Sequence, residues 1–189
     1  TQYYTSVRAT DMHGNLSRTA VSDGFKVDFV PPEIVSVSVD KDTTFRLTSD
    51  VQIEYALSEP IFSTSIFVKS ERFVGPVPFE YEIKDHSIEL SMDAPFISGD
   101  NFTITVSDMR DKANNSSLRY SYNYPVSYLA DFNIDGKIDV KDFNTFTTGW
   151  QGQDLTVELG PTTGVAPHLR PQLDGTLDLK DGMAFYYMW

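Results

Sequence analysis

The chain has 189 residues, enough for one large domain or two small ones, with 40% apolar, 22% charged and 13% aromatic residues. That composition is globular and excludes a largely disordered or collagen-like chain. Fifteen Lys and Arg against 27 Asp and Glu give a formal charge of −12, which argues against nucleic-acid binding, and the lack of cysteine excludes disulfides, a Cys-ligated zinc site and a thiol nucleophile.

No apolar run approaches the ~18 residues of a membrane span. No signal peptide is recognisable, and Thr1 reads as mid-strand, so a fragment or processed product is expected. From there to about residue 126, apolar and polar residues alternate with the period of two of half-buried strands. Ile34 to Val39, Val51 to Tyr55, Ser87 to Leu90 and Phe102 to Val106 show it best, with turn clusters between them. About seven short strands at this spacing predict a β-sandwich over 30–126. A faint repeat links residues 9–17, Ala-Thr-Asp-Met-His-Gly-Asn-Leu-Ser, with 106–117, Val-Ser-Asp-Met-Arg-Asp-Lys-Ala-Asn-Asn-Ser-Ser. Both read as the turn of a closing hairpin. Residues 1–29 are then the last two strands of a preceding sandwich, and Val30-Pro31-Pro32-Glu33 is the linker, because paired prolines cannot continue a ladder.

Past Tyr128 the texture changes to two loop-plus-helix units. Asp135, Gly136, Asp139, Asp142, Phe146 and Trp150 recur 39 residues later as Asp174, Gly175, Asp178, Asp181, Phe185 and Trp189. The offset is constant, which marks an internal duplication.

Residues 131–142 place oxygen side chains at positions 1, 3, 5, 9 and 12, glycine at 6 and an apolar residue at 8. That is the spacing of an EF-hand-type calcium loop. Ca²⁺ takes six to eight hard oxygens, and a tightly wound loop turns Asp131, Asn133 and Asp135 inward. Gly136 permits the left-handed turn, the Lys137 carbonyl adds a ligand, Asp139 stands at position 9 and Asp142 closes the shell. The competing reading is a solvated acidic turn that caps a helix at Asp139. Five oxygens, the glycine and the apolar position together favour calcium.

The second unit, 170–181, keeps Asp174, Gly175, Asp178 and Asp181, with Thr176 at the carbonyl position, but has Arg170 and Gln172 at positions 1 and 3. An arginine cannot ligate a cation and its charge opposes one. Either this loop is metal-free or an oxygen from outside completes it. Glu158 is the preferred donor, with Asp154 behind it.

The paired loops, each with a Phe four residues after the last Asp, resemble a type I dockerin over 127–189. Such modules are duplicated half-EF-hands, and the resemblance implies calcium-dependent docking onto a cohesin-like or cell-surface partner. Three departures stand out: the 39-residue spacing, the lost first ligand of loop 2, and Val140-Lys141 and Leu179-Lys180 where clostridial dockerins commonly carry Ser-Thr. Tyr4 to Asp11 with Gly14-Asn15 resembles the last hairpin of a fibronectin type III domain. Residues 31–126 resemble a bacterial Ig-like domain, on Val51 to Ile61, Ser98 to Val106 and Asp108 to Asn114.

These readings give a mainly β chain, an Ig-like β-sandwich with a small C-terminal α-helical dockerin-like calcium-binding module. Its expected role is that of a non-catalytic C-terminal part of an extracellular or cell-surface prokaryotic protein. The alternative is a structural subunit of a calcium-stabilised surface layer or filament, whose neighbouring subunit completes the N-terminal sandwich by strand complementation. An accessory carbohydrate-binding module is the least favoured role. For a partner, Val140-Lys141 and Leu179-Lys180 offer an apolar residue beside a charge at each helix start. The rival expectation is that Val140 and Leu179 pack against each other in the core.

No motif points to catalysis. His13, His86 and His168 are scattered, and Glu80 and Glu82 read as the solvent face of a strand. Phe67, Phe73, Phe79 and Tyr81 suit core packing better than a sugar platform. Asn-x-Ser/Thr triplets begin at Asn15, Asn101, Asn114 and Asn115, and chance explains them better than glycosylation.

Overall fold

The computed structural model describes residues 2–189 and is mainly β; Thr1 lies outside the described residues. Residues 2–26 form a nested antiparallel ribbon. β1 (Gln2–Tyr3), β2 (Ser6–Val7), β3 (Ala20–Val21) and β4 (Phe25–Lys26) pair as β1 with β4 and β2 with β3. Each strand is only two residues long and every residue in them is exposed.

Seven strands follow: β5 (Ile34–Val37), β6 (Val51–Leu57), β7 (Ser63–Ser70), β8 (Glu80–Ile83), β9 (Ser87–Met92), β10 (Asn101–Arg110) and β11 (Tyr120–Pro125). They form a four-stranded sheet of order β5-β6-β9-β8 and a three-stranded sheet of order β11-β10-β7, all neighbours antiparallel. This is a two-layer β-sandwich, and alternation builds it. Val51, Ile53, Tyr55 and Leu57 of β6 point inward, as do Ile88, Leu90 and Met92 of β9, to meet Phe102, Ile104 and Val106 of β10. Phe45 stacks on Tyr124 at 4.7 Å and Phe96 meets Phe102 edge-on at 5.2 Å. The outer face of the larger sheet carries a lateral row of three carboxylates, since Glu89 pairs with Glu54 on one side and Glu82 on the other.

The two closing turns share their bonding at an offset of 100 residues. Asp11 and Asp111 each accept from the backbone N–H and side-chain amide of Asn15 and Asn115. The Ser17 and Ser117 hydroxyls accept from Ala9 N and Met109 N. Within the sandwich turn the Asn115 amide also donates to the carbonyls of Asp28 and Val30, so it grips the linker.

Beyond Val126 come α1 (Val140–Gly152), a 3-10 turn (Leu155–Val157), a hairpin of β12 (Thr162–Val165) and β13 (His168–Pro171), and α2 (Leu179–Met188). Phe146 of α1 and Phe185 of α2, equivalent in the duplication, stack at 4.9 Å and form the centre of a small core with Val157, Leu159, Ala184 and Met188. Among the described residues no helix is long and apolar enough to cross a membrane.

Candidate metal centre

Each helix starts at the last third of its loop. Asp139 and Asp178 are the N-caps: their side chains accept from Lys141 N and Lys180 N, both at 2.8 Å. Asp142 and Asp181 close the capping boxes by accepting from Asp139 N at 3.0 Å and Asp178 N at 2.8 Å. The capping role weighed against calcium is therefore present at position 9 of both loops.

In the first loop, Asp131 accepts from Gly136 N at 2.9 Å and Asp135 N at 3.2 Å. Gly136 at φ +80° makes this approach possible, and Ile134 is held at φ +58°, costly for a β-branched residue. The Asn133 carbonyl oxygen accepts from Asp135 N, and its amide donates to the Asp135 carboxylate at 3.0 Å. Lys137 donates its N–H to that same carboxylate at 3.0 Å. The remaining oxygen of Asp142 accepts from Phe132 N at 2.9 Å.

The second loop repeats this arrangement with a different chain path. Its first corner is filled by Glu158, whose carboxylate accepts from Gly175 N at 2.7 Å and from Asp174 N. Asp181 accepts from Leu159 N and Gly160 N, both at 2.8 Å, as Asp142 accepts from Phe132 N. Asp131-Phe132 and Glu158-Leu159 are therefore counterparts. Four residues separate Asp131 from Asp135, but sixteen separate Glu158 from Asp174. The β12–β13 hairpin accounts for the difference and for the long 39-residue repeat. Asp154 stands outside this arrangement, accepting from Thr156 N at the start of the 3-10 turn.

Arg170 is not at the loop at all. It lies on β13, donating from Nε to the Pro95 carbonyl at 3.2 Å, with its guanidinium over the Phe73 ring at 5.9 Å. Arg170 falls at position 1 by number alone because a hairpin interrupts the chain between the first corner and the fifth position of this loop. The signal that locates the counterpart is the acid-apolar pair Glu158-Leu159 ahead of a short strand pattern.

Asp131, Asp142, Glu158 and Asp181 are all buried, the two helix-start aspartates fully so. Among the described residues no lysine or arginine forms an ion pair with any of the four. Burial pushes the Asp131 carboxyl above the usual range and the Asp142 charge adds to the push, against the pull of the Gly136 and Asp135 amides. Buried carboxylates are costly unless paired or hydrogen-bonded, and here backbone amides meet all four; among the described residues neither loop brings three acidic oxygens within 4.8 Å of one another. At the rim, Lys180 pairs with Asp174 at 2.9 Å and Asp178 at 3.2 Å, and Lys141 stands 3.6 Å from Asp135. The Thr176 hydroxyl and Lys180 hold the Asp174 carboxyl below its usual range.

Val140 and Leu179 are 62% and 75% exposed, so they do not pack against each other in the core. The convergent acidic group among the described residues lies elsewhere: Asp28 ahead of the linker, Glu59 and Asp111 bring carboxylate oxygens within 4.8 Å of one another. Sequence spacing gave no sign of it, since the three are far apart in the chain. Asp111 is already satisfied by Asn115.

Phe73 and Phe79 pack against the sandwich core beside Phe96, whereas Phe67 and Tyr81 face solvent. Glu80 and Glu82 are on the solvent side of β8. His13 is exposed, His86 meets Asp85 at 2.9 Å on the surface, and His168 is half-buried against the Ser98 carbonyl. Neither the models of known protein families nor the curated proteins include a match to this chain.

Proposed function

We propose that residues 127–189 are a calcium-dependent, dockerin-like docking module carried on an Ig-like sandwich, within an extracellular or cell-surface prokaryotic protein that acts here without catalysis. The observation that carries this reading is the duplicated cage, in which Asp131 and Glu158 hold the glycine amides of their loops while Asp142 and Asp181 sit buried behind them. The residues that would hold calcium are Asp131, Asn133, Asp135, the Lys137 carbonyl, Asp139 and Asp142 in the first loop. In the second they are Glu158, Asp174, the Thr176 carbonyl, Asp178 and Asp181. The ion supplies the positive charge that the buried carboxylates lack.

The sandwich supports the spacer part. Lettered A to G in chain order, its sheets read A-B-E-D and G-F-C, the order of a constant-type immunoglobulin sandwich. The exposed Val140 and Leu179, each beside a lysine, support a protein-reading face at the helix starts. Titration calorimetry of the full chain with calcium tests the metal part, and pull-down with Val140→Ser plus Leu179→Ser tests the face. Absence of calcium binding would overturn the reading, and unchanged partner capture by the double variant would move the face elsewhere.

One observation favours the structural-subunit alternative. The N-terminal ribbon exposes Tyr3, Tyr4, Val7, Leu16, Val21 and Phe25, apolar surface that a complementing strand from a neighbouring subunit would cover. Calcium-dependent assembly of the purified chain into sheets or filaments, seen by electron microscopy, would favour it.

A further inference from the structure

The hairpin inserted in the second loop touches both halves of the molecule. Its root is closed by Gln172 N donating to the Pro161 carbonyl at 2.7 Å, directly inside the corner where Glu158 holds Asp174 and Gly175. Its second strand lies on the sandwich. Ser98 N donates to the Leu169 carbonyl at 2.9 Å, the His168 ring meets the Ser98 carbonyl at 2.9 Å, and Arg170 reaches Pro95 and Phe73.

Ser98 is fully buried, and its hydroxyl also accepts from Leu129 N at 3.0 Å, in the segment that enters the C-terminal module. The Pro95–Ser98 stretch is therefore held twice, once by the connecting chain and once by the hairpin. A single connection between two units leaves them free to swivel, and a second attachment removes that freedom.

We propose that this hairpin is a calcium-linked strut. When the second loop holds its cation, Glu158 and Asp174 fix the hairpin root and the sandwich and C-terminal module move as one body. When the cation leaves, the root loosens and the module swivels on its connector. The coupling is reciprocal by thermodynamic necessity, so breaking the strut's hold on the sandwich weakens cation binding at the second loop and spares the first. The proposal rests on the calcium reading above.

The absence of native cysteine allows site-specific spin labels on the full chain, at Val35→Cys on the sandwich and Gln151→Cys on α1, both exposed. The label-to-label distance distribution is expected to be narrow in calcium and broad in chelator. A His168→Ala plus Arg170→Ala variant, altered only at the sandwich contact, is expected to stay helical in calcium yet give the broad distribution. Its calorimetry should show one of two calcium-binding steps weakened about tenfold. If calcium binds but the distribution is the same with and without it, or the double variant stays narrow, the strut is refuted and the docking reading stands. If no calcium binds, both fall.

Discussion

Glu158 stands to Gly175 as Asp131 stands to Gly136: in each unit a buried carboxylate accepts the glycine amide, at 2.7 Å and 2.9 Å. The two acids reach this shared position along chain paths that differ by a whole hairpin. Equivalence in this module is therefore a matter of which amide a side chain holds.

That equivalence makes the two acids similar in consequence. Asp131→Ala strands the Gly136 amide and Glu158→Ala those of Asp174 and Gly175, and each should cost about 1–3 kcal/mol of module stability, read by thermal melts in calcium. Each should also weaken one of two binding steps in calorimetry. Asp154→Ala, outside the arrangement, should leave both steps unchanged. A Glu158→Ala protein that melts and binds like its parent would contradict the assignment.

Lysine at the rim competes with a bound cation in the second loop more than in the first. Lys180 bridges Asp174 and Asp178, whereas Lys141 stands at the edge of reach of Asp135. Lys180→Met should raise calcium affinity at the second loop about two- to fivefold at low salt, as expected for an exposed ion pair, and Lys141→Met should do less. Equal effects, or none at any ionic strength, would count against this competition.

The sandwich holds two buried phenols that set its alkaline limit. Burial, with a smaller contribution from neighbouring Tyr122, pushes Tyr124 up to about 12, and burial pushes Tyr55 higher still. A raised folded pKa favours the neutral phenol in the folded state. The stabilisation from Tyr124 is complete below pH 10 and disappears as the pH rises toward about 12. Tyrosinate absorbance from these two residues should thus appear together with unfolding, and Tyr124→Phe should shift the alkaline midpoint upward. Free titration of all tyrosines near pH 10 in the folded protein would show the burial to be wrong.

Tyr55 offers a sharper case, because its hydroxyl is buried with no hydrogen-bond partner among the described residues. Tyr55→Phe removes an unsatisfied group and keeps the ring against Tyr122. Urea unfolding should show the variant as stable as the parent or more so, by up to about 1 kcal/mol. A clear loss of stability would mean that the hydroxyl has a partner.

Two glycines near the end of α1 have opposite roles. A side chain at Gly149 would meet the Val157 methyl groups at 2.6 Å and 2.7 Å, so Gly149→Ala should cost about 1–3 kcal/mol by forcing the helix off the 3-10 turn. Gly152 faces open space, and Gly152→Ala should add about 0.5–1 kcal/mol. Thermal melts of the two variants should move in opposite directions.

The parts legible in the sequence were those whose determinants are contiguous. β6, β9 and β10 bury alternate residues against a facing sheet, so period two marks them out. The first loop brings its acids together within twelve residues, and its spacing speaks directly. The first corner of the second loop did not read out as a loop position, because β12 and β13 separate Glu158 from Asp174. Arg170, in line by number, belongs to a strand that faces the sandwich. Val140 and Leu179 were ambiguous for another reason: an apolar residue at a helix start looks the same whether it faces a core or solvent. The Asp28, Glu59 and Asp111 group depends on the approach of the linker to the closing turn, which no local pattern encodes.

The row formed by Glu54, Glu89 and Glu82 has a consequence for the chain among its own copies. Like charges directly opposite on neighbouring strands weaken the pairing that holds them, with Lys84 beside Glu89 offering partial relief. The same row prevents a second copy of the sheet from lying face to face on the first, since that would bring six carboxylates together. Like charge on this face thus disfavours the sheet-on-sheet stacking of crowded copies.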